Sequence, residues 1–196
     1  MKLIVIAGFL GSGKTTLILS VARALVNEQK KRVVIIENEI GEIGIDHQYL
    51  AMEGLKVKEI QSGCICCELS YNLLDTLEKI EYSFHPDVII IEASGVANPE
   101  KIIQVIERSK LNIDQKKVVV LIDAHRFRAI MALQLPFVQG SFRVADLIAI
   151  NKIDAVQEKV LDTVTQELKN LVGRTRILPI SATQGYAFNE LMQWIQ

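Results

Sequence analysis

Neither sign of charge is in excess in this sequence. Its 22 Lys and Arg against 23 Asp and Glu leave a formal net charge of −1, so no electrostatic footprint points to nucleic acid or to an anionic membrane surface. Long apolar runs are missing too: none approaches the roughly 18 residues that a membrane span needs. The apolar start, Met1 to Gly8, resembles the middle of a signal peptide but runs straight into a glycine loop without a cleavage-site pattern, and reads as a strand. These absences lead to the expectation of a cytoplasmic protein with no nucleic-acid and no membrane partner. Cysteine is scarce, and the three present all fall at Cys64, Cys66 and Cys67. An odd, clustered set is no disulfide framework; in a reducing compartment it reads as a metal or redox site. There is no internal repeat, no low-complexity tract, no Pro/Gly/Ser-rich linker and no His-rich tail, so residues 1–196 are expected to form one domain.

What the sequence does have is alternation. Short β-branched runs at 2–7, 32–38, 55–60, 87–93, 116–123, 146–151 and 176–181 read as strands. Most are continuously apolar, as Val88 to Ile91 and Val118 to Ile122 are, which suits strands buried on both faces of a parallel sheet. Amphipathic segments at 14–29, 70–82, 99–111, 126–133, 155–172 and 187–195 read as helices between them. Strand–helix alternation implies right-handed crossovers and an open α/β sheet.

Gly8 to Thr15, GFLGSGKT, matches G-x-x-x-x-G-K-[ST] and sits between a predicted strand and a predicted helix, the context this motif requires. Gly8, Gly11 and Gly13 let the backbone turn its N–H groups, including that of Ser12, toward phosphate oxygens. The helix N-terminus, with Thr16 in its first turn, adds partial positive charge. Lys14 is expected at the β- and γ-phosphates and the Thr15 hydroxyl on Mg²⁺.

Asn151 to Asp154, NKID, follows the apolar run 147–150 and so lies at the carboxyl end of a strand, where open α/β sheets bind ligands. Asp154 can accept from both N1–H and the exocyclic amine of guanine, a donor pair that adenine lacks. Lys152 can lay its stem over the base and Asn151 can brace the loop. Ser181–Ala182, after the last strand, is expected to offer a backbone N–H to guanine O6.

Ile89 to Gly95, IIIEASG, is an apolar strand ending in an acid. Glu92 is placed to hold Mg²⁺, and Gly95 to offer an N–H to the γ-phosphate. The segment from Glu37 to His47 is richer in acids than a connection needs, and Gly41 and Gly44 allow it to rearrange when the γ-phosphate leaves. Asp46 and Glu39 are the candidates for positioning the attacking water.

Three thiols in four residues lie close together on almost any turn. Thiolates favour Zn²⁺ or Cu(I) over Mg²⁺, and three ligands leave one tetrahedral position for a switch acid, His47, a water or a partner chain. Glu37 and Glu42 are the acids singled out for it. Two other readings stay open: small buried hydrophobes, or a redox pair of Cys64 and Cys67.

In order along the chain, GFLGSGKTT at 8–16, NEIGEIGID at 38–46, GCICC at 63–67, IEASG at 91–95 and NKID at 151–154 resemble the GTPase domain of the CobW-like proteins, relatives of the nickel-insertion GTPases within the SIMIBI class. The resemblance implies a three-layer P-loop NTPase fold, a mostly parallel sheet of about seven strands with helices on both faces. It implies slow GTP hydrolysis with Mg²⁺, zinc or another transition metal at the CxCC motif, and delivery of that metal to a client metalloenzyme or cofactor enzyme. It also implies nucleotide-dependent homodimerisation or client docking. CobW-like proteins usually carry a second, C-terminal domain that this sequence is expected to lack. A nucleotide-gated metal sensor or adaptor, and an activator of a corrinoid or other cofactor enzyme, share every one of these motifs.

Overall fold

The computed structural model describes residues 1–38, 56–59, 68–93, 99–133 and 136–196. Its strands are β1 (Lys2–Gly8), β2 (Val33–Asn38), β3 (Lys56–Glu59), β4 (Val88–Ala93), β5 (Gln115–Asp123), β6 (Leu147–Asn151) and β7 (Arg176–Pro179). They form one sheet in the order β3-β2-β4-β1-β5-β6-β7, and every pairing is parallel. The helices are α1 (Lys14–Asn27), α2 (Glu68–Phe84), α3 (Pro99–Arg108), α4 (Phe127–Ala132), α5 (Pro136–Val144), α6 (Glu158–Val172) and α7 (Phe188–Ile195).

Strand periodicity sorts the core into two layers. On one face Leu3, Val5 and Ala7 of β1 join Ile89 and Ile91 of β4 under α2, α3, α4 and α6. On the other, Ile4 and Ile6 join Ile35, Ile90 and Leu121 under α1 and α7. With both faces covered, β4 is buried along its whole length. That is why its sequence shows no polar alternation. Each such Val, Leu or Ile contributes about 1.5–3 kcal/mol relative to exposure.

The seven-stranded, mostly parallel sheet with helices on both faces is therefore present. Two helix expectations need correction. The predicted helix at 155–172 starts only at Glu158, because Ile153–Ala155 closes as a 3₁₀ turn and Gln157 is extended, with φ −75° and ψ 152°. Helix α5 forms where the sequence pattern predicts none. Gly140 in its interior and β-branched Val138 weaken its propensity, and packing of Phe142 and Val144 on the core supplies what propensity lacks. Its Arg143 Nε also donates to Glu100 Oε1 of α3 at 2.7 Å. No helix among the described residues is long and apolar enough to cross a membrane.

Candidate nucleotide-binding site

Strands β4, β1, β5, β6 and β7 are consecutive neighbours in the sheet, so the loops at their carboxyl ends line one edge. The chain leaves β1 toward β2 on one side and, after β4, reaches β5 on the other, so the strand order reverses beside β1. In open α/β sheets that reversal opens the ligand crevice.

The loop from Gly8 to Gly13 fills the position outside β1. Its turn is closed by Ser12 N donating to Phe9 O at 3.1 Å, and α1 begins with Leu17 N donating to Gly13 O at 3.0 Å. Two glycines are required by their surroundings. Gly13 has φ +97°, and a Cβ there would collide with Asn151 Nδ2. Gly8 has φ +150°, and a Cβ there would run into the Leu121 carbonyl of β5. Any side chain at either place would push the loop off its neighbouring strand. Gly11 and Thr16 are exposed along the same loop and first helical turn. Among the described residues, Ser12 Oγ is buried without a hydrogen-bond partner, an unusual state for a hydroxyl. A hydroxyl and turned backbone amides at the head of a helix fit an anionic phosphate group.

Lys14 opens α1 and is almost wholly buried. Its Nζ lies 3.4 Å from Phe9 O and 3.9 Å from Glu92 Oε1, the outer limit of an ion pair. Glu92 is on β4, next to β1, with its backbone in register with Ile6. Thr15 Oγ1 lies 3.3 Å from each Glu92 carboxylate oxygen. A hydroxyl and a buried carboxylate converging beside the phosphate loop are hard oxygen donors of the kind Mg²⁺ takes. On the other side of β4, Glu37 of β2 occupies the register position beside Glu92.

The NKID loop is tied to the glycine loop after β1. Asn151, 2% exposed at the end of β6, donates from Nδ2 to Ser12 O at 2.8 Å and accepts from Ala182 N at Oδ1, 2.9 Å. Lys152 sits in the left-handed region at φ +63°, which for a side-chain-bearing residue costs about 1–3 kcal/mol and needs support from its surroundings. Its Nζ donates to Gly11 O at 2.6 Å and to Asp123 Oδ2 at 2.8 Å. Asp154 follows in the 3₁₀ turn and is exposed.

After β7 the backbone amides of Ser181 and Ala182 find partners within the protein. Ser181 N donates to Tyr186 O at 3.3 Å, and Ala182 N is held by Asn151. Gln184 N in turn donates to Ser181 Oγ at 3.2 Å.

Gly95, Glu39, Glu42, Asp46, Cys64, Cys66 and Cys67 lie outside the described residues, as does His47. Among the described residues, no group of three or more His, Cys, Asp or Glu is close enough to hold a metal ion.

Two residues that sequence reasoning passed over belong to this edge. Asp123 ends β5 and is buried. Its Oδ1 accepts from His125 N at 2.9 Å and Arg126 N at 3.2 Å, and its Oδ2 meets Lys152. Arg126 Nη1 donates to Leu10 O at 3.1 Å, and its guanidinium lies 5.6 Å from the Phe9 ring centroid. The available signal was position: Asp123 ends an apolar strand run just as Asn151 does.

The chain has relatives among known proteins in both sequence and fold. Over 164 residues, 78% of this chain and 49% of the relative, the sequence is 34% identical to the zinc chaperone YjiA of Escherichia coli K12. Over 177 residues, 84% of this chain and 42% of the relative, it is 32% identical to the zinc-regulated GTPase metalloprotein activator 1 of Schizosaccharomyces pombe. The chain thus spans about half the length of the curated relatives it matches. In fold it is similar to the hydrogenase maturation factor HypB of Archaeoglobus fulgidus, with a TM-score of 0.74 at 23% identity, covering 100% of this chain and 88% of that one. The model of the CobW/HypB/UreG nucleotide-binding domain matches residues 2–179, and the chain belongs to that family.

Proposed function

We propose that this chain is the GTP-hydrolysing module of a zinc-handling metallochaperone, with residues 1–196 working as one P-loop unit. The observation that carries the reading is the bond from Asn151 Nδ2 to Ser12 O, which joins the phosphate loop and the NKID loop into one site. Relatives named as a zinc chaperone and a zinc-regulated GTPase support it.

In this reading the backbone amides of Gly11, Ser12, Gly13, Lys14 and Thr15 hold the phosphates, and Thr16 and the Gly95 N–H assist. The Lys14 ammonium neutralises charge that builds on the β- and γ-phosphates. Thr15 and Glu92 would hold Mg²⁺, which when bound supplies positive charge to neutralise the phosphates. Asp46 or Glu39 orients the water. Asn151 sets the base loop, Lys152 covers the base plane and Asp154 accepts from the two guanine donors. Guanine O6 needs a donor near Ser181 and Ala182, and releasing the Ala182 N–H from Asn151 on binding would supply one.

Zinc is cargo in this scheme, carried by Cys64, Cys66 and Cys67 with Glu37 or Glu42 as the switch acid. The register of Glu37 beside Glu92 supports a link between the two, because one sheet edge then carries a candidate zinc ligand next to a candidate Mg²⁺ ligand. The recipient is a client metalloenzyme or cofactor enzyme, approached by docking or by a nucleotide-dependent homodimer.

Titration of the protein with GTP and ATP tests the nucleotide assignment. GTP should bind more tightly, and Asp154→Asn, which turns an acceptor oxygen into a donor amide facing guanine's own donors, should weaken GTP by about 100-fold. Equal affinity for the two nucleotides would overturn it.

A further inference from the structure

We propose that Asp123 is a positioning residue for base binding, holding Lys152 in the conformation that covers the nucleotide base. No motif in the sequence assigns it a role, and the inference rests on the nucleotide-site reading above.

The geometry is specific. Asp123 is 3% exposed, and a buried carboxylate is retained only where it is paired and hydrogen-bonded. Both of its oxygens are engaged, in different tasks. Oδ1 folds back on its own chain, accepting from His125 N and Arg126 N as an Asx turn does. Oδ2 reaches out of β5 to the Lys152 ammonium at 2.8 Å. A turn carboxylate needs only the first; the second points to the neighbouring loop. Lys152 in turn is the NKID residue with a left-handed backbone, at φ +63°. Its ammonium is anchored twice, to Asp123 and to Gly11 O.

Anchoring the head of Lys152 at the sheet edge stretches its four-carbon stem along the crevice, where a base can lie against it. Without the carboxylate, the ammonium keeps one neutral acceptor and the stem regains rotamer freedom that binding must then remove. The phosphate loop would still hold its shape. Ser12 is braced by Asn151, and Leu10 by Arg126.

The test is a double-mutant cycle on Asp123→Asn and Lys152→Met, read by nucleoside diphosphate affinity and by affinity for inorganic tripolyphosphate. Asparagine preserves an acceptor for the turn and removes the charge. Asp123→Asn should weaken GDP about tenfold, the scale of one charge-assisted hydrogen bond. It should leave tripolyphosphate within twofold, because that probe has no base. The double variant should bind GDP no more weakly than Lys152→Met alone. The cycle is run with ADP as well, so a parent that binds both nucleotides alike, and thereby fails the guanine reading, still reports the coupling. GDP affinity within twofold of the parent, additive losses in the double variant, or an equal loss for GDP and tripolyphosphate would each overturn the proposal. The last of these would make Asp123 a support of the loop fold instead.

Discussion

Asn151 Nδ2 and Ser12 O meet at 2.8 Å across a separation of 139 residues. The contact exists because β1 and β6 both flank β5, and the loops at their carboxyl ends face each other over the end of that strand. It is so close that Gly13 has no room for a side chain.

Removing that amide should damage both stability and binding. Asn151→Ala strands the buried Ser12 carbonyl, where an unpaired group costs about 1–3 kcal/mol, and also frees the partly buried Ala182 N–H. The urea midpoint of the nucleotide-free protein should drop accordingly. GDP affinity should fall by at least about tenfold, the equivalent of 1.4 kcal/mol. An unchanged midpoint would show that water replaces both bonds and that Asn151 is no brace.

Glu92→Gln keeps the shape of the side chain beside Thr15 and removes its charge. Mg²⁺ should then be held less tightly, so the Mg²⁺ concentration giving half-maximal phosphate release should rise about tenfold or more, while GTP binding measured without Mg²⁺ changes little. Parent-like phosphate release at limiting Mg²⁺ would take away the metal role given to Glu92.

Acid sensitivity has a local source away from the site. Asp87, just before β4, accepts from the Arg32 backbone N–H at 2.8 Å and pairs with Arg32 Nε at 3.4 Å. That backbone hydrogen bond, with the nearby Arg32 and Lys31 charges, holds the carboxyl below its usual range against the opposing effect of burial. The folded state therefore binds this proton less readily than the unfolded chain. The stabilisation is present above the ordinary carboxylate pKa and is lost as pH falls through the lowered folded value. Asp87→Asn should be less stable than the parent near neutral pH, and the gap in urea midpoint should narrow as pH falls below the ordinary carboxylate pKa. A gap that stays constant with pH would exclude the ionised carboxylate as its cause.

Zinc and nucleotide should be coupled if a switch acid completes the cysteine site. Competition for Zn²⁺ against a chelator, with GDP and with a non-hydrolysable GTP analogue, should give affinities differing by about 5–150-fold, the usual range for linked sites. By linkage, zinc must shift the analogue's affinity relative to GDP by the same factor. Cys66→Ser should weaken zinc in both states. Equal zinc affinity with the two nucleotides would mean an ungated site, and no effect of Cys66→Ser would place the metal elsewhere.

What the sequence determined by itself is local and periodic. Apolar runs of strand length between amphipathic segments specify a two-faced parallel sheet, because a strand buried on both sides tolerates no polar alternation. Gly8 to Thr15 announces a phosphate loop, because its spacing answers to the backbone geometry of one turn and one helix end. Where packing outweighs propensity, as in α5, the sequence was silent. The tertiary structure alone decided which loops share an edge. Asp123 reads as the last residue of a strand until the order β1-β5-β6 sets it between Gly11 and Lys152. Arg126 reads as a helix start until its guanidinium meets Leu10 O. Ala182 reads as a residue just past a strand until its N–H meets Asn151 Oδ1. These partners are separated by 29 to 116 residues along the chain. No local spacing encodes such contacts; they follow from strand order, which is settled by how the whole core packs.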